Sequence, residues 1–247
     1  MEKIQKFFME KPIVSGSIIL AIGLVIATVI GAYTFVTIRS FDNGLVVTGS
    51  AKTTVQSDSV KWTSNITRTV TEGNLPDGYA LMARDAASVK DFMTRNGIAA
   101  DELEVSPIFV DQVYKYNDQN GPREYNLRQT VIVASKDLTK VANLAKNTQE
   151  LINKGIVFST QAPEYYYSKL ADLRVSLLGD AIKDARARAE QLARSSGSSV
   201  GSLKSASTGV VQVLSPNSVE VADYGQYDTS SITKDVMITV RATFVVK

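Results

Sequence analysis

Hydrophobic and polar positions divide the chain into one long apolar segment and a region where strand and helix patterns alternate. Ile13–Ile38 contains no charged side chain over 26 residues. Because about 20 apolar residues cross a bilayer core, this pattern predicts a transmembrane anchor at 13–38. Residues 1–12 would then precede the membrane, and 39–247 would form the folded domain. The alternative is a cleaved signal peptide, whose apolar core is shorter, roughly 7–15 residues.

The charges that flank the apolar segment predict its orientation. Lys3, Lys6 and Lys11 precede it, whereas Arg39 is the basic residue that follows closely. Since basic residues favour the cytoplasmic side, the N-terminus is expected in the cytoplasm. In a bacterium this makes the chain a single-pass inner-membrane protein whose C-terminal domain is periplasmic or extracellular.

Small residues recur within the anchor. Gly23, Ala27 and Gly31 lie four positions apart and share one helix face. Such stripes let two helices approach closely in lipid, so these residues are candidates for self-association. The alternative is that Gly and Ala are simply common in membrane helices. The span holds no acidic, basic or amide side chain, which argues against an ion or proton path.

After Asp42 the chain shows several runs that are typical of strands. Val60, Trp62, Ser64 and Ile66 alternate with polar residues, so we expect Trp62 to point into the core. A hairpin is expected around Asn117–Pro122. The predicted strands are Leu45–Val55, Val60–Val70, Leu103–Tyr116, Glu124–Ala134, Ile156–Gln161, Ser202–Leu214 and Val236–Val246.

Three helices are predicted between these strands. The first follows Asn74, a candidate N-cap, and ends at Gly97. Its predicted buried stripe is Tyr79, Met82, Ala86, Val89 and Met93. The second follows Asp137 and ends at Gly155. The third spans about Ser168–Ser196, with an apolar face of Leu170, Leu173, Leu177, Ala181, Ala185 and Leu192 and with ion pairs Asp184–Arg188 and Glu190–Arg194. The fold class is therefore α+β, an antiparallel sheet covered by about three helices.

Composition and charge exclude several function classes. Four of the 27 basic and two of the 25 acidic residues lie within 1–39, which leaves 23 of each in the folded part. A neutral domain lacks the positive surplus that nucleic-acid binding uses, so no nucleic-acid partner is expected. The chain has no cysteine and no histidine. Thiolate catalysis, disulfides, Ser-His pairs and imidazole or thiolate metal sites are therefore excluded.

The remaining polar residues give weak candidates for chemistry. Asp101, Glu102 and Glu104 could supply a carboxylate pair, but charged residues are ordinary in a loop that enters a strand. Calcium ligation by Asp223, Tyr224, Tyr227 and Asp228 is a second candidate, although these residues lack a calcium-loop spacing. We therefore predict no catalytic residue, no cofactor and no metal site. The polar stretch at about 215–233 is expected to be a flexible loop.

Tyrosines offer a more specific hypothesis. Tyr165, Tyr166 and Tyr167 are consecutive, and Tyr114, Tyr116 and Tyr125 lie in predicted strands. Tyrosine is enriched at protein interfaces, so Tyr165–Tyr167 is a candidate self-association or partner surface. The alternative is that these side chains pack within the core and the sheet.

Three stretches, the second of them a helix with the turn that follows it, carry a resemblance to a known family over roughly residues 44–247. They are Leu45–Ala51 followed by Asp58, an alanine-rich helix at Leu178–Ala193, a glycine-marked turn at Ser196–Leu203, and a last strand at Ile238–Val246. In this order they resemble the SIMPL-domain (YggE-like) proteins of bacterial envelopes. Ser57 stands where the family has a proline, and the long anchor is a further departure.

The resemblance implies an α+β fold, export to the periplasm, and homo-oligomers that close into rings or channel-like assemblies. It also implies a loose link to oxidative-stress defence and to immunogenicity. It supplies no catalytic residue. The leading hypothesis is thus a non-enzymatic, membrane-anchored periplasmic protein that assembles with itself. The alternatives are an envelope module that binds a ligand or partner, and an enzyme that uses carboxylates or a Ser/Lys pair.

Overall fold

The computed structural model describes residues 12–40, 44–114, 121–218 and 222–246. In chain order the elements are α1 (Pro12–Ser40), β1 (Gly44–Gln56), β2 (Ser59–Thr71), α2 (Leu75–Arg95), β3 (Leu103–Val105), β4 (Phe109–Val113), β5 (Glu124–Ser135), α3 (Leu138–Lys146), α4 (Gln149–Asn153), β6 (Val157–Thr160), β7 (Glu164–Tyr166), α5 (Leu170–Ser195), β8 (Val200–Thr208), β9 (Gln212–Leu214) and β10 (Thr233–Val246).

The strands form two sheets, which confirms the predicted α+β class. One has the order β3-β5-β2-β6, with β4 also paired to β5 and β7 to β2. The other has the order β1-β10-β8, with β9 also paired to β10. The prediction of a single sheet was wrong, because alternation along a strand reveals its faces and not its neighbours. The tip of the predicted hairpin, residues 117–120, lies outside the described residues.

Contacts divide the chain into two compact units. The first contains residues up to Gly49 together with Ala181–Thr208 and the end of the chain from Val240. The second contains Ser50–Asp180 and Gly209–Thr239. Three long elements, β1, α5 and β10, contribute residues to both units.

The second unit has its core between the six-stranded sheet and the helices α2, α3 and α4. The inward positions of β2 alternate as predicted, and Trp62 is fully buried. Its indole nitrogen donates a 2.5 Å hydrogen bond to Thr160 Oγ1, and its ring meets Phe158 edge-on with centroids 6.2 Å apart. The neighbouring strand β5 adds Leu127, Val131 and Val133 to the same core, and all three are fully buried. Trp62 is therefore a core residue.

Helix α2 forms where the periodicity predicts, but its buried face differs. Tyr79 is 44% exposed, whereas Asp85 is buried within the stripe. Asp85 accepts two hydrogen bonds from the guanidinium of Arg68 on β2, which satisfies the buried carboxylate. Asn74 occupies the N-cap position without capping, since its side-chain amide donates to Thr71 Oγ1 at 3.1 Å. The predicted N-cap position of Asn74 is therefore confirmed, although its side chain does not cap the helix, and the prediction that Tyr79 is buried was wrong.

Helices α2, α4 and α5 end in the same way, on a glycine with positive φ. Gly97, Gly155 and Gly197 have φ values of 83°, 73° and 73°. At the first of these ends the amide of Ile98 donates to the Met93 carbonyl and that of Gly97 to the Thr94 carbonyl, which is a Schellman motif. The predicted ends at Gly97 and Gly155 are confirmed. The second predicted helix is split into α3 and α4, between Lys146 and Gln149.

Helix α5 buries a row of small side chains in the first unit. Ala181, Ala185, Ala189 and Ala193 recur every four residues and are at most 3% exposed. Leu192, which the prediction placed on this face, is 54% exposed. A Cβ on Gly49 of β1 would lie 2.2 Å from the Ala181 carbonyl oxygen. The small residues on both elements therefore let α5 lie directly against β1.

Of the two predicted ion pairs on α5, the first is confirmed and the second is wrong. Arg188 donates to Asp184 at 2.8 Å. Glu190 instead pairs with Arg186 at 3.0 Å, while Arg194 donates to the Glu190 backbone carbonyl. Arg186 and Arg194 both lie four residues from Glu190, so they compete for one carboxylate.

Candidate functional site

The most unusual polar cluster in the described part of the chain surrounds a buried lysine at the start of β10. We call Tyr227, Asp228, Ser230, Ser231 and Lys234 the Lys234 latch. The side chain of Lys234 is 0% exposed. Its amine donates to the backbone carbonyls of Asp228 and Ser231, lies 4.0 Å from Asp228 Oδ2, and sits 5.5 Å from the Tyr227 ring centroid. A buried ammonium needs such partners.

Asp228 is the second charged member of the latch. Its carboxylate accepts hydrogen bonds from the amides and hydroxyls of Ser230 and Ser231. Burial on its own raises the pKa of Asp228, but these hydrogen bonds and the charge of Lys234 outweigh it and lower the pKa to about 2. Burial lowers the pKa of Lys234, and the charge of Asp228 opposes that shift.

The latch holds the segment 222–233 against neighbouring strands of the same unit. The Asp228 amide donates to the Val213 carbonyl at 2.8 Å, and the Val213 amide donates to the Gln226 carbonyl at the same distance. The Tyr165 amide donates to the Thr229 carbonyl, again at 2.8 Å. Backbone pairing therefore ties this segment to β9 on one side and to β7 on the other.

Tyrosines reinforce this attachment. The ring of Tyr227 stacks on that of Tyr166 with centroids 5.9 Å apart. The Tyr227 hydroxyl accepts a 2.9 Å hydrogen bond from the Tyr167 amide. Next to it, Asp58 accepts from the amide and hydroxyl of Ser168 at 2.8 and 2.7 Å. These contacts extend from the latch to Tyr166 at the end of β7 and to the two residues that follow it.

The geometry of the latch suits attachment better than catalysis. A nucleophilic or basic lysine must reach a substrate, but the Lys234 side chain has no exposed surface. Its amine and the Asp228 carboxylate instead satisfy groups within one short segment. The arrangement pairs the buried charge of Lys234 with that of Asp228. It also gives hydrogen-bond partners to the backbone carbonyls of Asp228 and Ser231.

The three tyrosines proposed for self-association differ in exposure. Tyr165 is 8% exposed and belongs to the hydrophobic core, which leaves it little surface for a partner. Tyr166 and Tyr167 are half-buried. Tyr114 is 86% exposed and Tyr125 is half-buried, while Tyr116 lies outside the described residues.

Among the predicted carboxylate candidates, Glu102 is engaged in hydrogen bonds within the fold. Glu102 accepts from the Ser135 hydroxyl at 2.6 Å and from the Ala99 amide at 3.0 Å, and these bonds lower its pKa. In the calcium candidate, Tyr224 is 97% exposed and Asp228 is occupied by the serines of the latch. Within the described ranges, no group of three or more acidic residues could hold a metal ion.

The apolar N-terminal helix is exposed where the structure describes its side chains. Gly16–Val36 has a mean hydropathy of 2.4 and the length to cross a membrane, which fits either an anchor or a signal segment. A Cβ on Gly23 or Gly31 would meet no atom within 4 Å. The stripe with Ala27 therefore lies on an open helix surface. Lys3, Lys6 and Lys11, which carry the predicted orientation, lie outside the described residues.

Sequence reasoning missed the latch, although a signal for it was present. On β10 the positions Lys234, Val236, Ile238 and Val240 alternate inward, and all four are buried. A lysine in phase with an apolar strand face indicates a buried charge that needs partners. Arg68 and Asp85 give a comparable signal, since Asp85 stands in the apolar helical stripe beside Met82 and Val89.

A comparison with known proteins adds one match. Residues 45–245 match the family model described as SIMPL, a protein of unknown function (DUF541). No curated protein matches the chain at a significant level. The match spans nearly all of the chain after the apolar helix, including the latch, α5 and β10.

Proposed function

Since the chain belongs to the SIMPL family, we propose that it is a non-enzymatic, membrane-anchored envelope protein that assembles with copies of itself. In this proposal α1 stays in the inner membrane of a bacterium with the N-terminus in the cytoplasm. The domain that matches the family then lies in the periplasm or outside the cell. The assembly is a closed homo-oligomer, a ring or channel-like structure, and the process it serves is envelope or oxidative stress.

The observation that carries the proposal is the contrast between α1 and the remainder of the chain. The apolar surface of α1 is unburied over Gly16–Val36, so this helix needs lipid or other helices around it. The open stripe of Gly23, Ala27 and Gly31 supports packing between anchors. Titratable groups in the folded part support a structural role, because Lys234, Asp228, Arg68 and Asp85 are each engaged with a partner inside the fold.

Co-purification tests the self-assembly directly. Two full-length copies with different C-terminal tags are expressed together, extracted in mild detergent, and captured through one tag. The second tag is expected in the eluate. Copies expressed separately and mixed after extraction are the control for association in detergent alone. Absence of the second tag after co-expression would contradict the proposal.

The absence of native cysteine gives a clean test of orientation. Tyr224 is 97% exposed, so a cysteine in Tyr224→Cys should be accessible to reagents. A maleimide that does not cross the inner membrane is expected to label Tyr224→Cys and not Lys6→Cys in cells with a permeabilised outer membrane. The reverse pattern would contradict the proposed topology.

A second candidate function is supported by one observation. Tyr224 extends almost fully into solvent from the segment that the latch holds in place. A fixed segment that presents an exposed aromatic ring is suited to binding a partner protein. If this function is correct, Tyr224→Ala reduces capture of a partner from the envelope without changing co-purification of the two tagged copies.

A further inference from the structure

Strand β8 is the outermost strand of the sheet with the order β1-β10-β8. It is nine residues long, and every residue from Ser202 to Thr208 is exposed. Its described pairing is with β10 alone, through the register Thr208 to Val240 and Ala206 to Ala242. One long edge of β8 therefore has no strand beside it in the part of the chain that the structure describes.

The hydrogen-bond pattern shows which backbone groups face this open edge. The Gly209 amide donates to the Thr239 carbonyl at 2.9 Å, so Gly209 points toward β10. In an antiparallel ladder, residues point alternately toward and away from the partner strand. Ser207 and Ser205 therefore bond β10, whereas Ala206 and Thr208 direct their amides and carbonyls outward.

The composition of this edge leaves it open to another strand. Ser205–Thr208 contains no charged residue and no proline, the two features that most often protect an exposed edge. Lys204 precedes this segment, and the pairing with β10 is irregular only at the end nearer Val200. A strand that pairs with Ser205–Thr208 would meet no charged side chain within this segment. Because the segment has no proline, it would find every backbone amide able to donate a hydrogen bond.

We propose that the outer edge of β8 pairs with an edge strand of a second copy of this chain. The proposal rests on the proposed function, because it names the surface through which the copies assemble. An anchor at the N-terminus confines the copies to one membrane and one orientation, which raises their effective concentration. The folded part carries 23 basic and 23 acidic residues, so two copies meet without net repulsion.

Ala206→Pro tests this pairing with little effect on β10. Proline removes an amide that points outward, and it is tolerated on edge strands in that position. The matched control is Ala206→Thr, which keeps the amide and favours a strand. With two tagged full-length copies, Ala206→Pro in both is expected to lower co-purification at least tenfold, whereas Ala206→Thr keeps the wild-type level. Thermal unfolding by circular dichroism checks that both variants are folded.

Hydrogen exchange on the wild-type assembly gives a second readout that needs no variant. The amides of Ala206 and Thr208 are expected to exchange slowly in the assembly, because they would be bonded across the copies. Fast exchange there would overturn the β8 pairing. Undiminished co-purification of folded Ala206→Pro would also overturn the β8 pairing. In that case the proposed function still stands, because the copies would assemble through another surface. If wild-type copies do not co-purify, both the proposed function and the β8 pairing fail.

Discussion

At the residue scale, the fold depends on charged groups that are buried together with their partners. Lys234 has no exposed side-chain surface and bonds two carbonyls of the segment before β10. Asp228 receives four hydrogen bonds from two serines. Removal of one partner would leave the other buried without compensation, which costs more than the pair itself contributes.

Asp228→Ala is therefore expected to destabilise the folded part by about 2–4 kcal/mol, since it leaves the amides and hydroxyls of both serines without their acceptor and removes the carboxylate charge 4.0 Å from the Lys234 amine. In a domain of this size that lowers the unfolding temperature by about 4–16 °C, measured by circular dichroism on the full chain in detergent. Asp223→Ala is the matched control, because Asp223 is an exposed acid in the same segment. Equal unfolding temperatures for the two variants would contradict the role of the latch.

The pH dependence of this contribution follows from the pKa of Asp228. The folded-state pKa of about 2 lies below the usual 3.8, so the stabilisation is complete above about pH 4. It is lost as the pH falls from about 4 to 2, and it amounts to about 2 kcal/mol. The difference in unfolding temperature between the wild type and Asp228→Ala is expected to shrink across this range. A constant difference from pH 6 to pH 2.5 would show that Asp228 is not held ionised by the fold.

Some residue-scale features could be predicted from the sequence and others could not. The inward position of Trp62 followed from alternation within one strand. The pairing of Arg68 with Asp85 joins β2 to α2 and depends on how the helix rotates over the sheet, which local periodicity does not determine. The same holds for Lys234, whose partners lie in a segment without regular structure.

At the scale of elements, small residues on α5 and β1 allow the backbone of the helix to lie close to the backbone of the strand. The four buried alanines of α5 and Gly49 of β1 leave little room between the two backbones. The predicted buried face of α5 is confirmed at Leu177, Ala181 and Ala185 and is wrong at Leu192, which is 54% exposed. Ala189 and Ala193 continue the buried row, because small side chains fit where a helix lies this close to a strand.

Gly49→Ala is expected to destabilise the fold by about 1–3 kcal/mol or more, because its Cβ would lie 2.2 Å from the Ala181 carbonyl oxygen and 2.4 Å from the Ala185 amide nitrogen. Gly179→Ala on α5 is the matched control. Its Cβ meets nothing within 4 Å, and alanine favours a helix by up to about 1 kcal/mol. Thermal unfolding should thus move in opposite directions for the two variants. Unchanged stability in Gly49→Ala would contradict the close packing of α5 on β1.

Element boundaries were predicted best where a local signal marks them. The glycines at the ends of α2 and α4 have positive φ, and each fixes the end of its helix through its own backbone. The break between α3 and α4 has no glycine or proline to indicate it. The pairing of β4 with β5 was predicted as a hairpin and is confirmed. The pairing of β10 with β1, β8 and β9 was not predicted, since it joins segments far apart in the chain.

At the scale of the whole molecule, the chain combines an apolar helix with a SIMPL-family domain that contains two discontinuous units. The sequence predicts residues 39–247 as one domain. Neither unit is a continuous stretch of sequence, so no change in composition marks where one ends. The apolar helix, in contrast, could be recognised from composition alone, because its signal is local and continuous.

Self-assembly of the anchored chain is the central claim, and the mass of the purified protein tests it most directly. The full-length chain, 26.8 kDa, is extracted in mild detergent and its protein mass is measured by light scattering coupled to size-exclusion chromatography. The account predicts one species whose protein mass is a fixed multiple of the chain mass at micromolar concentration. A single monodisperse species with the mass of one chain would contradict it.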